Sequence, residues 1–144
     1  MPKVQDRGGI YYFPNEEVGI TANSVCVYKD AYGRYQSKGK LINGKQDGKW
    51  TWWYEDGQIK RETNYKDDKN HGMSTYWREN GQKRVEGNYK NDKLDGKWTW
   101  WHENGQKWAE GNYKDDKYNG KWTNWYENGQ IKRETNYKNG VIVD

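Results

Sequence analysis

Aliphatic residues are scarce: Leu, Ile, Val and Phe number 2, 6, 7 and 1 among 144 residues. A chain so poor in them usually stays unfolded, and it cannot fill a core of sheet on sheet or helix on sheet. Long apolar runs are missing too. No stretch approaches the roughly 20 residues that cross a bilayer, and residues 1–10 lack the apolar centre of a signal peptide. The expectation is a chain that spans no membrane and works in the cytoplasm. The single cysteine, Cys26, has no partner for an intrachain disulfide and no spaced Cys or His neighbours with which to hold zinc. It reads as small filler.

What the chain has in place of aliphatics is rings. Ten Trp and 13 Tyr bring the aromatic share to 17%, and each large ring buries roughly 150 to 250 Å². A thin or repetitive architecture is therefore favoured. The 25 Lys and Arg and 21 Asp and Glu give a net charge of +4 but are interleaved, not blocked. Such a pattern marks a solvated surface and disfavours nucleic acid as a partner.

A repeat decides the reading. Gly48, Gly72, Gly96 and Gly120 are 24 residues apart, and so are Gly57, Gly81, Gly105 and Gly129. In register the units read GKWTWWYEDGQIKRETNYKDDKNH, GMSTYWRENGQKRVEGNYKNDKLD, GKWTWWHENGQKWAEGNYKDDKYN and GKWTNWYENGQIKRETNYKNGVIV, at 48–71, 72–95, 96–119 and 120–143. A degenerate fifth unit precedes them at 24–47, with Gly33 and Gly39 in phase. The expected organisation is an N-terminal capping strand and turn at 1–23, with Ile10–Phe13 before Pro14-Asn15, followed by five hairpin repeats over 24–144. Val141-Ile142-Val143 is an apolar, strand-like tail placed to close the C-terminal edge, since a stack of sheet units otherwise ends on open backbone.

Each unit carries two turn signals. Asp56-Gly57, Asn80-Gly81, Asn104-Gly105 and Asn128-Gly129 are the dipeptides of a two-residue type I′ hairpin. The polar stretch Lys66–Gly72 and its copies at 90–96 and 114–120 reads as a looser connection. Aromatic and Thr residues between them favour strands, so the chain reads as an all-β antiparallel meander with two strands per unit. The tight turn would pair Trp50 with Thr63, Trp52 with Arg61 and Tyr54 with Ile59 on one face, and Thr51 with Glu62 and Trp53 with Lys60 on the other. The same register sets Trp98 over Gly111, Trp100 opposite Ala109, Trp122 opposite Thr135 and Tyr126 opposite Ile131. It also sets Arg78 against Lys83, a like-charge pair that must splay.

The two faces differ. One repeats strictly: Thr51, Thr75, Thr99 and Thr123; Trp53, Trp77, Trp101 and Trp125; Glu62, Glu86, Glu110 and Glu134. The other varies, with Trp50, Ser74, Trp98 and Trp122, then Trp52, Tyr76, Trp100 and Asn124, and each unit ends on Tyr65, Tyr89, Tyr113 or Tyr137. Strict recurrence is what nearest-neighbour stacking requires, so the Trp53 and Tyr65 columns are expected to be structural. Trp50, Trp52, Tyr76, Trp98, Trp100 and Trp122 form the candidate binding face.

The motif GKWTxWYENGQIKxExNYKxDKxxG resembles the bacterial variant of the membrane occupation and recognition nexus repeat, the MORN-2 type of YwqK-family antitoxins. The segment RGGIYYFPNEEVGIT resembles what precedes the repeats in that group, with Val18-Gly19-Ile20-Thr21 where the family commonly shows Pro-Phe-Thr-Gly. The resemblance implies hairpins stacked into an elongated, twisted, single-layer sheet. It also implies a scaffold that binds proteins, an antitoxin, or a lipid-associated protein, and it points to no catalytic residue.

Residue chemistry agrees with a non-enzyme. His71 and His102 lie at different phases and form no repeated dyad. Glu55, Glu79, Glu103 and Glu127 recur, but a glycosidase holds its two carboxylates roughly 5 to 9.5 Å apart in a cleft, which a flat sheet does not offer. Lys-Asp-Asp-Lys at 66–69 and 114–117 lacks EF-hand spacing and places cations where calcium would sit. No metal, cofactor or catalytic set is therefore expected. Three partners fit the rings and charges: a protein, a toxin among them, held by aromatic hot spots; a glycan or cell-envelope polymer stacked on the same rings; and anionic lipid met by the Lys-rich turns.

Overall fold

The computed structural model describes residues 5–7, 10–12, 24–29 and 35–143, with side chains from residue 36 onward. Among these residues every regular element is a strand. β1 (Gln5–Arg7) and β2 (Ile10–Tyr12) pair as a separate two-stranded sheet. The expected turn at Pro14-Asn15 lies outside the described residues. The main sheet contains β3 (Ser24–Lys29), β4 (Tyr35–Ile42), β5 (Lys45–Trp53), β6 (Ile59–Lys66), β7 (Lys69–Trp77), β8 (Lys83–Lys90), β9 (Lys93–Trp101), β10 (Lys107–Lys114), β11 (Lys117–Tyr118), β12 (Gly120–Trp125), β13 (Ile131–Lys138) and β14 (Val141–Val143). β3 to β10 and β12 to β14 follow one another as an open antiparallel meander; β11 also pairs with β10, so β11 and β12 are one line broken at Asn119. The fold is the stacked-hairpin sheet that the period implies. β3 and β4 match Ser24 with Leu41 and Cys26 with Gly39. That is the register of Gly48 with Tyr65 and Trp50 with Thr63, moved back by one period.

The two turns exchange the characters expected of them. At Asp56-Gly57 only the glycine has positive φ, 89°. Tyr54 N–H donates to Gln58 O at 2.8 Å and Gly57 N–H to Tyr54 O at 3.0 Å, closing a three-residue loop of a type I turn plus a left-handed glycine. Asp56 Oδ1 accepts from the Gln58 amide at 2.9 Å, and Asn80, Asn104 and Asn128 do the same for Gln82, Gln106 and Gln130. This side-chain bond holds the Asn or Asp out of the left-handed region, which is why the type I′ turn does not form. The longer loop changes the inner pairs: Trp53 faces Ile59, not Lys60, and Trp125 faces Ile131, displacing the expected pairs of Tyr54 with Ile59 and Tyr126 with Ile131. A bulge at Lys60 then restores the expected pairs of Trp52 with Arg61 and Trp50 with Thr63. Arg78 likewise does not oppose Lys83, which faces Trp77.

The tight turn lies instead in the polar stretch. Lys66 pairs with Lys69 around Asp67 and Asp68, with φ of 49° and 66°, the two positive angles of type I′. Asn91-Asp92 and Asp115-Asp116 repeat it, and Asn43-Gly44 and Asn139-Gly140 show the same two positive angles. The second aspartate ties each turn to the unit before it. Asp68 Oδ1 accepts from the Gln46 amide at 2.6 Å, and Asp92 and Asp116 take the Asn70 and Leu94 amides at 2.7 Å.

Units are joined by rings laid on glycines. Residues eleven apart face each other across each seam: Gly39 and Trp50, Thr63 and Ser74, Gly87 and Trp98, Gly111 and Trp122. A methyl group at Gly39, Gly87 or Gly111 would overlap the indole above it. Trp98 therefore covers Gly87 of the preceding unit, and Gly111, which it was expected to cover, lies under Trp122. The register slips just beyond each seam, at Gly48, Gly72 and Gly96, all with positive φ. Beside the slip the indole N–H donates to a strand carbonyl: Trp50 to Lys40, Trp98 to Asn88 and Trp122 to Asn112, at 3.0 to 3.1 Å. At the one seam carrying Thr63, the residue above it is Ser74, and both are fully buried.

That pairing of sizes is testable. Gly87→Thr should destabilise the protein by about 3 kcal/mol through overpacking, and Trp98→Ser by about 3 to 5 kcal/mol. The double variant should lie above the additive sum by at least ~1 kcal/mol in urea denaturation, because it recreates the Thr63–Ser74 seam.

Candidate functional site

The strictly repeated face is a polar ladder. The hydroxyls of Thr51, Thr75, Thr99 and Thr123 donate to Glu62, Glu86, Glu110 and Glu134 at 3.1 to 3.3 Å. Lys49, Lys97 and Lys121 reach the same carboxylates from the neighbouring strand position. Partial burial pushes the Glu110 carboxyl up, but hydrogen bonds from Lys107 and Lys97 outweigh it and leave the group below its usual value. Trp53, Trp77, Trp101 and Trp125 stand half-buried beside this ladder. Three of their carbonyls accept from the next-lower unit: Tyr54 Oη donates to Trp77 O at 2.7 Å and Arg78 Nη2 to Trp101 O at 2.8 Å, while His102 Nε2 lies 3.1 Å from Trp125 O. The threonine hydroxyls and glutamate carboxylates of this face are thus committed to their neighbours.

The other face holds the rings of the candidate binding surface, in two depths. Trp50, Trp98 and Trp122 are 1%, 4% and 8% exposed; they form the seams. Trp52, Tyr76 and Trp100 are half-buried and form an outer row, with Tyr65, Tyr89, Tyr113 and Tyr137 beside them. The turn glycines Gly57, Gly81, Gly105 and Gly129 sit in the loops at one edge, exposed.

Where the outer row is interrupted, a cleft opens. Asn124 stands at the phase of Trp52 and Trp100, and it pairs across the strands with Ala109. These two small side chains leave a depression of about 360 Å³ walled by Trp100, Trp108, Tyr113, Tyr118, Trp122 and Tyr137, with Arg133 and Thr135 on its far side. The walls are braced on each other. Tyr118 packs edge-on to Trp122 at 4.4 Å between centroids, Tyr113 edge-on to Trp122 at 5.3 Å, and Trp100 lies 5.4 Å from Trp122. Trp108 and Tyr118 are 49% and 39% exposed. Trp108 is the extra residue of the β10 bulge, between Lys107 paired with Trp101 and Ala109 paired with Trp100.

Of the cleft residues, Trp100 and Trp122 belong to the binding face expected from sequence, Tyr113 and Tyr137 to the columns expected to be structural, and Trp108, Tyr118, Asn124 and Arg133 to neither set. The signal was there as departures from the period. Lys60, Arg84 and Lys132 share the phase of Trp108, and Asn70 and Leu94 that of Tyr118.

An open sheet of stacked hairpins, each unit held to the next by rings and polar ties, defines a repeat scaffold. The profile of the MORN repeat variant matches four times in tandem, at residues 46–67, 70–91, 94–115 and 118–139. The chain belongs to that family of repeat proteins, and the MORN repeat is a scaffold, not a catalytic fold. Each matched unit is one hairpin cut at its type I′ turns. No curated protein sequence matches the chain. Among solved structures, the "Crystal structure of GtfA/B complex bound to UDP and GlcNAc" is similar at 14% identity and a TM-score of 0.34, over 85% of this chain and 24% of that one. No helix among the described residues is long and apolar enough to cross a membrane.

Burial raises the phenol of Tyr113 well above its ordinary value, and the hydrogen bond with Tyr118 adds to the effect. Burial also raises Tyr89, with the Tyr76 phenol reinforcing it, and it raises Tyr65 against the opposing charge of Arg61. Phenols that hold their protons more tightly when folded contribute stability that is intact below about pH 10 and lost as pH rises beyond it. Denaturation midpoints should therefore stay flat to about pH 9.5 and fall steadily above it, with a shallower fall in Tyr113→Phe.

Proposed function

We propose that the chain is a non-enzymatic scaffold that holds a protein partner on its variable face, through the outer row Trp52, Tyr76 and Trp100 and the exposed rings Trp108 and Tyr118. The observation that supports this is the division of the rings by depth. Trp50, Trp98 and Trp122 build the seams, which leaves the outer row as half-exposed rings on a rigid base. Trp and Tyr held in this way supply large contact area at small entropic cost, and they dominate binding hot spots.

The likeness to YwqK-family proteins suggests the finer reading: a bacterial, cytoplasmic antitoxin whose partner is a toxin. A glycan surface is the second reading, supported by the ring-walled cleft. Anionic lipid receives less support. The turn lysines Lys66, Lys69, Lys114 and Lys117 flank Asp67, Asp68, Asp115 and Asp116, so these turns present mixed charge.

The first reading is tested in the cell. A toxin gene adjacent to this one should arrest growth when expressed alone, and the wild-type chain should restore it. Trp52→Ala combined with Trp100→Ala should abolish rescue and weaken the purified complex by at least about 100-fold, with far-ultraviolet circular dichroism unchanged. Full rescue by the double variant would remove the outer row from the interface.

A further inference from the structure

β6 and β13 have the same sequence, Ile-Lys-Arg-Glu-Thr-Asn-Tyr-Lys, yet their arginines stand in opposite situations. Arg61 is fully engaged. Its Nε donates to Thr63 Oγ1 at 2.8 Å and its Nη2 to Tyr65 Oη at 3.0 Å and Asn70 Oδ1 at 3.3 Å. Its plane lies 4.5 Å from the Trp52 ring and 5.3 Å from that of Tyr76. Three periods later two of these partners are replaced, Asn124 standing for Trp52 and Ile142 for Asn70, while Thr135 and Tyr137 repeat Thr63 and Tyr65. Arg133 is exposed on the cleft, and among the described residues no carboxylate or carbonyl takes its donors.

None of the ten residues lining the cleft is acidic, and Arg133 is the one that carries charge. The cleft is therefore unbalanced toward an anion, and it rejects a cationic ligand despite its rings. A guanidinium offers a carboxylate two parallel hydrogen bonds. The rest of the lining constrains what carries that carboxylate. Trp108 and Tyr118 present flat apolar faces, while Asn124, Thr135 and the tyrosine hydroxyls can both donate and accept. Such an alternation suits a pyranose, which has an apolar face of C–H groups and an equator of hydroxyls. An extended peptide would look for backbone to pair with, but the floor strands β10, β12 and β13 are already hydrogen-bonded to one another along the cleft. About 360 Å³ lies within the roughly 300 to 1,000 Å³ of small-ligand sites, enough for a short stretch of a sugar chain.

We propose that this cleft binds a glycan containing uronic acid, with Arg133 forking the carboxylate and Trp108 and Tyr118 stacking on the sugar faces. The proposal rests on the glycan reading of the cleft and narrows it to an acidic sugar. The test is calorimetry and tryptophan fluorescence on the full chain with trimers of galacturonate, glucuronate and mannuronate, their methyl esters, neutral galactose and glucose trimers, and poly-L-glutamate. At least one uronate trimer should bind. Its affinity should fall at least about tenfold on methyl esterification or in Arg133→Gln, recover in part in Arg133→Lys, and be lost in Trp108→Ala. Both sites are exposed, and circular dichroism verifies that the variants stay folded. Equal binding of neutral and acidic trimers would overturn the acidic assignment and leave the glycan reading standing. Binding of poly-L-glutamate alone, or of none of these ligands, would overturn both.

Discussion

An indole laid across a strand glycine is the contact on which the sheet depends. A single layer has no second layer against which to bury its side chains, so it must bury them on itself. Trp98 does so by covering the backbone of the preceding unit at Gly87, where any β-carbon would exclude it. The same geometry would strand the indole N–H against the sheet, and an unsatisfied buried donor costs about 1 to 3 kcal/mol. The Asn88 carbonyl, beside the register slip at Gly96, removes that cost by accepting from the indole. The anchoring glycine with positive φ, the tryptophan two residues on, and the glycine eleven residues before that tryptophan are thus parts of one device. This explains why the period is marked by glycine and tryptophan together.

The seam at Thr63 and Ser74 shows that the device has an alternative form. With a β-branched residue beneath, the ring above is replaced by serine, and the Arg61 guanidinium moves in between Trp52 and Tyr76 to fill the space. The substitution is costly in one respect: Ser74 Oγ is buried without a hydrogen-bond partner. Side chains of Tyr54, Arg78 and His102 further tie the later seams to tryptophan carbonyls, and the turn aspartates Asp68, Asp92 and Asp116 tie the earlier ones to strand amides. Individual hydrogen bonds contribute about 1 kcal/mol, so the ring contacts set the strength of each joint and the polar ties set its register. Stability in such a stack is a sum over neighbouring units. A single altered unit can then carry a functional feature without disturbing distant ones.

The sequence revealed the architecture because a stack needs repetition. Gly48, Gly72, Gly96 and Gly120 fixed the period, and the cross-strand pairs of Trp50 with Thr63 and Trp52 with Arg61 followed from it. What it concealed was the type of each turn. Asn-Gly satisfies a type I′ turn and a type I turn with a left-handed glycine equally well, and the side-chain bond from Asn80 to the Gln82 amide decides between them. Asp67-Asp68 lacks glycine altogether, yet it forms the tighter turn because Asp68 is held there by the Gln46 amide of the unit before. That second partner is not local and cannot be read from the dipeptide. The error at the loop and the bulge at Lys60 are each one residue and of opposite sign, which is why the outer register was right although the inner pairs were not. The direction in which Trp98 leans was hidden for the same reason, since both its strand neighbours are glycines.

The candidate site was legible in a different way. The seam rings Trp50, Trp98 and Trp122 are explained by their neighbours and have little left to offer. The cleft is made where the period fails: Asn124 for a ring, Ala109 for an arginine or valine, Trp108 for a lysine or arginine, and Tyr118 for asparagine or leucine. Each change alone would be an ordinary tolerance of a repeat array. Together they fall on adjoining strands and on one face, remove volume at the centre and add rings at the rim, and they leave Arg133 without counterparts of the Trp52 ring and the Asn70 amide that hold its twin Arg61. Departures that are independent in sequence but converge in space need a common cause. A ligand with an apolar face and a negative charge supplies one that packing within the stack does not.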